Sequence, residues 1–123
     1  MGFQETVLRL AGVVVLAGMA VAPAGAAEDF YKGKQITFIC STDAGTTYDT
    51  YARMVAEYLP QYIPGKPTTI VQNMAGASGL KASNYVYNVA PRDGTVIAAT
   101  HSVIPTAPLL SPNEAQFDTK KIG

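Results

Sequence analysis

The sequence predicts an α/β fold in which helices connect the strands of a parallel sheet. Three apolar runs rich in β-branched residues, at about 35–40, 68–72 and 95–100, have the composition of short buried strands. Two stretches between them, at about 48–60 and 79–89, repeat their apolar residues with helical spacing. Strands joined by helices run parallel, so the order β-α-β-α-β brings the carboxyl ends of the strands to one edge of the sheet.

The first strand-to-helix unit extends from Ile36 to Arg53. Its apolar run ends at Cys40 and is followed by the loop Ser41–Thr47, in which small and hydroxyl-bearing residues surround one glycine. Such a loop presents backbone N–H groups and the positive end of a helix dipole at one place, a combination that binds anions. The helix that follows is expected to pack five apolar side chains on the sheet, namely Ala52, Val55, Ala56, Leu59 and Tyr62.

The second unit repeats this arrangement. Its strand leads into another loop of small residues, Asn73–Gly79, and then into a helix that ends before the Asp93-Gly94 turn. Residues 101–112 are rich in proline and are expected to be an irregular exit from the third strand. The second helix is expected to bury four apolar side chains, namely Ala82, Tyr85, Val86 and Val89.

The three strand ends are the expected functional edge of the sheet. Open parallel sheets bind ligands beyond the carboxyl ends of their strands, near a topological switch point. Here those ends are followed by Ser41–Thr47, Asn73–Gly79 and Thr100–Ser102. We therefore expect the three loops to converge on one ligand-binding site.

Several residues at this edge have more than one interpretation. Asp49 either orients a ligand amine or an ordered water, or serves as a capping and dipole partner of the first helix. Thr46 and Thr47 either donate hydrogen bonds to a ligand carboxylate, or one of them serves as the cap of the helix. His101, the only histidine, is interpreted as a hydrogen-bonded loop residue, and Cys40 as a buried thiol.

The first 26 residues are expected to be a secretory signal peptide. Arg9 precedes the apolar run Leu10–Ala22, and Ala24 and Ala26 form an Ala-x-Ala cleavage site. Cleavage after Ala26 would leave residues 27–123 as the mature chain, with a periplasmic location. The length of the uncharged segment leaves retention as a membrane anchor as the alternative.

Composition excludes several classes of partner. Nine Lys and Arg balance nine Asp and Glu, so neither nucleic acid nor an anionic membrane surface is expected as a partner. A single cysteine, Cys40, excludes an internal disulfide and a cysteine-based zinc site. No P-loop, G-x-G-x-x-G, nucleophile elbow or metal-ligand spacing is present, so we expect no cofactor, no metal and no catalytic activity.

The motifs of the chain resemble those of a known family. The resemblance covers nearly the whole expected mature chain and is to the N-terminal third of the Bug-type periplasmic solute-binding proteins of tripartite tricarboxylate transporters. The matching motifs are, in order, Gly45-x-x-Tyr48-Asp49-x-Tyr51-Ala52-Arg53, Pro64-Gly65-Lys66-Pro67, Val71-Gln72-Asn73-Met74-Ala75-Gly76-Ala77-Ser78-Gly79, Asn84-Tyr85 and Ala90-Pro91-Arg92-Asp93-Gly94-Thr95.

This resemblance implies a receptor function. It implies that residues 27–123 form part of lobe one of a type II-like periplasmic-binding-protein fold, with the second lobe missing from a fragment or truncated product. The implied partners are a small carboxylated solute and the membrane permease subunits of the transporter, and the full-length family member is expected to be a monomer. Together with His101, the implied ligand-binding residues are Ser41, Thr42, Gly45, Thr46, Thr47, Asp49, Ala75, Gly76, Ala77, Ser78 and Gly79.

The first loop departs from the family pattern, and two alternatives to the receptor function stay open. The first loop of the family is usually Pro-aromatic-x-x-Gly-Gly, whereas this chain has one glycine fewer and an added acidic residue, Asp43. The alternative function from another class is a small exported α/β hydrolase or transferase in which Cys40 or Ser102 acts with His101. The remaining possibility is a truncated product without function.

Overall fold

A parallel three-stranded sheet is the centre of the structure, a computed structural model that describes residues 30–121. Its strands are β1 (Gln35–Cys40), β2 (Thr68–Asn73) and β3 (Val96–Ala99), in the spatial order β2-β1-β3. The register places Phe38 of β1 between Val71 of β2 and Ile97 of β3. The α/β fold with parallel strands is therefore confirmed, and the strand boundaries agree with the sequence to within one residue at each end.

Two helices make the crossovers between the strands. α1 (Thr47–Tyr58), continued by a 3-10 turn over Leu59–Tyr62, connects β1 to β2, and α2 (Leu80–Asn88) connects β2 to β3. The first crossover runs from the central strand β1 to β2, and the second runs from β2 back across β1 to β3, so the two cross the sheet in opposite directions. Right-handed connections therefore require the helices to lie on opposite faces of the sheet. With the strand order β2-β1-β3, the topological switch point lies between the carboxyl ends of β1 and β3.

Two apolar clusters form the core. In the first, Ile36 and Phe38 of β1 pack with Ala56 of α1, a residue small enough to let the helix approach the sheet closely. The second joins α2 to the segment after β3, and its buried members are Leu80, Ile104, Ala107 and Phe117.

The expected helix faces are only partly confirmed. Ala52, Ala56 and Ala82 are buried, but Val55, Tyr62 and Val89 are 45%, 81% and 68% exposed, so those three predictions are wrong. A narrow sheet covers a narrow stripe of α1, which leaves Val55 outside it. Tyr62 lies in the 3-10 turn, where the tighter winding rotates side chains off the α-helical stripe, and Val89 lies beyond the last residue of α2.

The exit from β3 is more regular than the sequence indicated. A 3-10 turn over Ile104–Thr106 leads into the short helix α3 (Ala107–Leu110), and each has a proline in its first two positions, where the missing N–H costs nothing. This segment supplies Ile104 and Ala107 to the second cluster. Within residues 30–121, no helix is both long and apolar enough to cross a bilayer. The expected signal peptide lies outside the described residues.

Candidate functional site

A solvent-open cleft of about 440 Å³ lies at the carboxyl ends of the strands. All three expected loops contribute to it, because parallel pairing places the residues after β1, β2 and β3 at the same edge. The cleft is lined by Ser41, Thr42, Asp43, Thr46, Thr47, Tyr48, Ala75, Gly76, Ser78, Gly79 and His101.

Ser41 joins the three loops at the base of this cleft. Its backbone N–H donates to the carbonyl of Ala99 at 3.0 Å, which extends the β1–β3 pairing by one residue. Its Oγ accepts the backbone N–H of His101 at 3.1 Å, and its side chain also lies against Gly79 of the second loop. Ser41 is buried, so its hydroxyl is a structural connection between the strand ends.

The second loop has an unusual backbone. Positive φ angles follow one another at Gly76 (138°), Ala77 (47°), Ser78 (52°) and Gly79 (93°). For Ala77 and Ser78 this conformation is unfavourable, and such strain is concentrated at functional sites in proteins. Gly79 is confined as well, since a Cβ there would lie 3.3 Å from both Ile104 Cδ1 and Ser41 Oγ. The loop therefore brings backbone, rather than bulky side chains, to the cleft.

The first loop is organised by the cap of α1. Thr46 is the N-cap residue: its Oγ1 accepts from the N–H of Asp49 at 3.3 Å and donates to the carbonyl of Asp43 at 2.9 Å. Thr42 Oγ1 lies 2.6 Å from Thr46 Oγ1, so both hydroxyls are engaged within the loop. Thr47 and Tyr48 belong to the first helical turn, whose N–H groups have no intrahelical acceptor, and both line the cleft.

Asp49 is a buried structural anion. Its Oδ2 accepts from Arg53 Nε at 2.9 Å and from the Gly45 N–H at 2.8 Å, while its Oδ1 accepts from Asn73 Nδ2 at 2.7 Å. The Arg53 side-chain hydrogen bond, followed by those from Gly45 and Asn73, lowers the pKa of Asp49 well below its ordinary value. Asn73 Nδ2 also donates to the carbonyl of Thr42 at 2.9 Å, so this network ties the end of β2 to the first loop.

An aromatic pair forms a further wall of the cleft. The rings of Tyr48 and His101 lie 4.6 Å apart between centroids and are inclined by 52°. The Tyr48 hydroxyl donates to Ser102 Oγ at 3.5 Å, and hydrogen bonds with the side chain and then the backbone of Ser102 lower the pKa of Tyr48. Tyr48 was not among the predicted site residues. Its place in the first turn of α1, directly after the loop, is the signal that could have identified it.

The two candidate nucleophiles, Cys40 and Ser102, differ in their exposure to solvent. Cys40 is 0% exposed, and its Sγ lies 3.3 Å from Thr42 Oγ1, so the thiol is buried beneath the cleft rather than open to a substrate. Ser102 is exposed and interacts with Tyr48. Among residues 30–121, no group of three or more His, Cys, Asp or Glu side chains has the geometry to hold a metal ion.

Most, but not all, of the residues singled out from the sequence meet at the cleft. Gly45, Asp49 and Ala77 do not line it: Gly45 and Asp49 bond to each other inside the loop, and Ala77 lies in the second loop without reaching the lining. The predicted residues that do line the cleft are Ser41, Thr42, Thr46, Thr47, Ala75, Gly76, Ser78, Gly79 and His101.

The fold and the cleft together define an α/β domain with a small-molecule-sized cleft at its switch point. The chain is 29% identical, over 120 residues, to a UPF0065 protein of Bordetella bronchiseptica, and the match covers 93% of this chain and 35% of that protein. The chain thus spans about a third of the length of this curated relative. No family model matches the chain.

Proposed function

We propose that this chain is the first part of lobe one of a Bug-type, extracytoplasmic solute-binding receptor, and that its cleft binds the carboxylate of a small solute for delivery to a tripartite tricarboxylate transporter. The observation that supports this most is the convergence of three strand-end loops on one open cleft. The similarity to a UPF0065 protein supports it too, because UPF0065 is the family of these receptors.

The proposed carboxylate site uses the two helix N-termini. α1 and α2 both begin at loops that line the cleft, so the positive ends of two helix dipoles lie near one anion, and the first-turn residues Thr47 and Tyr48 of α1 line the cleft themselves. Thr47 and Ser78 are the lining hydroxyls that we assign to direct hydrogen bonds with the solute. Ser41, Thr42 and Thr46 instead hold the loops in place through the hydrogen bonds described above.

Asp49 is assigned a positioning role in this proposal. Its two carboxylate oxygens are taken by three donors from α1, the first loop and β2, so it fixes the loop rather than the solute. Gly45 and Ala77 provide the loop conformations, and His101 with Tyr48 closes one side of the cleft. The receptor requires no catalytic step, and none is proposed. The proposal includes export by the segment 1–26 and transfer of the solute to permease subunits.

The test compares carboxylates with their neutral amides, for example propionate with propionamide, on the whole chain. Because the cleft is open on one side, we expect weak binding, near a dissociation constant of about 1 mM. Carboxylates should bind and amides should not. Thr47→Val should weaken carboxylate binding, whereas the same substitution at Thr119, outside the cleft, should not change it. Equal binding of acids and amides would refute the proposal.

A further inference from the structure

The outer edge of β3 carries backbone groups that pair with no strand of the described range 30–121. β3 is the last strand in the order β2-β1-β3, so only one of its two sides meets a neighbour there. On that side, the carbonyls of Thr95 and Ala99 accept N–H groups from the β1 side of the sheet. Successive residues of a strand direct their backbone groups to opposite sides. The N–H and C=O groups of Val96 and Ala98 therefore point to the open edge.

The side chains of β3 are those of an interior strand. Its sequence, Val96–Ala99, is apolar throughout, as in strands that have a neighbour on each side, whereas edge strands are usually protected by charges, proline or a bulge. β2 at the opposite edge of the sheet includes two threonines, a glutamine and an asparagine. A cavity of about 520 Å³ lies beside β3, and Val96, Ala98 and Thr100 line it. The edge of β3 is thus the one that a further strand would extend.

The unpaired groups of this edge are complementary to themselves. A second copy of β3 can lie antiparallel to the first, with a two-fold axis at Ile97. Val96 then lies opposite Ala98 of the second copy, and Ala98 opposite Val96 of the second copy. Each of these pairs exchanges both of its N–H···O bonds, so all the outward groups of Val96 and Ala98 are satisfied. The Ile97 side chains of the two copies meet as a non-hydrogen-bonded pair, in which side chains lie closest.

The charges near this edge are compatible with such a pair. Among the described residues that line the cavity, Arg92 and Lys121 are the charged ones. Arg92 Nη2 donates to the Tyr87 carbonyl at 2.7 Å, and its guanidinium lies 5.5 Å from the centre of the Tyr87 ring. Lys121 is paired with Asp118 at 3.7 Å. Because Arg92 precedes β3, antiparallel pairing places the two Arg92 side chains at opposite ends of the interface, so these like charges do not face each other.

We infer that the edge of β3 is an interface between two copies of this chain. The two sheets join into one, in the order β2-β1-β3-β3-β1-β2, and the two strand-end clefts lie open at opposite ends of it. Pairing of β3 with β2 of a second copy would leave a free edge at each end and continue into a filament, whereas the two-fold pair closes after two copies. The strand pair is small compared with the interfaces of permanent dimers, so the dimer is reversible.

The first test measures the mass of the whole chain by sedimentation equilibrium over a dilution series. The mass of the wild-type chain should rise with concentration and level off at two chains. Ala98→Pro removes one outward N–H and no bond to β1, so this variant should have the mass of one chain throughout. Thr69→Pro is the control, because it removes an outward N–H from the edge of β2, and it should associate like wild type.

The second test uses disulfide formation to check the register, and it decides the question if a proline variant does not fold. In Ile97→Cys the two new thiols lie across the two-fold axis, with Cα atoms about 4.5 Å apart, within the range of a disulfide. In Thr95→Cys they lie roughly 13 Å apart, beyond that range. Mild oxidation should cross-link Ile97→Cys into dimers. It should not cross-link Thr95→Cys, or the wild-type chain, whose Cys40 is buried.

Several results would overturn the inference. A wild-type chain that has the mass of one chain at every concentration has no such interface, and a mass that grows beyond two chains indicates open-ended association instead. A folded Ala98→Pro variant that still dimerises would place the interface elsewhere. Equal cross-linking of Thr95→Cys and Ile97→Cys would show that the two β3 strands do not pair about Ile97.

Discussion

Replacing Gly79 with alanine tests the packing that holds the three loops together. Gly79 has φ of +93°, and a Cβ there would meet Ile104 Cδ1 and Ser41 Oγ, each at 3.3 Å. Gly45 is a matched control, because its φ of +84° is nearly the same but no heavy atom lies within 4 Å of its Cβ position. The two substitutions therefore share the backbone strain and differ in the steric contact.

The expected magnitudes follow from these two terms. Forcing an L-residue into the left-handed region costs about 1–2 kcal/mol, and this is the whole expected loss of unfolding free energy in Gly45→Ala. Gly79→Ala adds overpacking between two buried side chains, about 1–3 kcal/mol, for a total of about 2–5 kcal/mol. In a domain of this size each kcal/mol lowers Tm by about 4–8 °C.

The assay is urea and thermal unfolding followed by circular dichroism. Gly79→Ala should lower the unfolding free energy more than Gly45→Ala does. A double variant that combines Gly79→Ala with Ile104→Val should recover part of this loss, because valine lacks the Cδ1 atom that the new Cβ would contact. Equal destabilisation by the two glycine variants would show that Gly79 is not confined between β1 and the exit segment, and the described junction would be incorrect.

Three further predictions concern the loop network and the thiol. Wild type should have a higher free energy of unfolding than Asp49→Asn, and this difference should have its full size above about pH 5. The difference should shrink as the pH falls below the ordinary Asp pKa of 3.8 and should disappear below the lowered pKa of the folded state. A difference that does not change with pH would contradict the hydrogen-bond network around Asp49. Asn73→Ala removes its hydrogen bonds to Thr42 and Asp49 and should cost about 1–3 kcal/mol in urea unfolding, against little change for the neighbouring exposed Gln72→Ala. Cys40 should react with a thiol reagent only after denaturation, and rapid labelling of the native chain would show that it is not buried.

The sheet could be predicted from the sequence because its signals are local. Runs of β-branched residues, followed by small-residue loops and helical periodicity, define β1, β2 and β3 almost to the residue. The exposed side chains of Val55, Tyr62 and Val89 could not be predicted in this way, because periodicity identifies a helix face but not how much of it a narrow sheet covers. The regular structure within Ile104–Leu110 was not predicted, because proline is common both in loops and in the first turn of helices, and the prolines here were assigned to a loop.

At the candidate site, the meeting of the loops could be predicted, but the hydrogen bonds of their side chains could not. The loops meet because the strands are parallel, which places the segments that follow them at one edge of the sheet. Which hydroxyls are committed to the loops, as in Thr42 and Thr46, depends on distances between residues that the sequence does not encode locally. The packing of Tyr48 against His101 likewise depends on the approach of α1 to the end of β3.

Mapping a bound carboxylate on the chain tests the central claim most directly. The measurement is a titration of the isotope-labelled chain with propionate, followed through its backbone amide NMR signals. The account predicts shifts confined to the amides of 41–48, 75–79 and His101, the residues around the cleft. Shifts centred instead on the second cavity, of about 520 Å³ beside β3 and α2, or shifts spread without a centre, would contradict it.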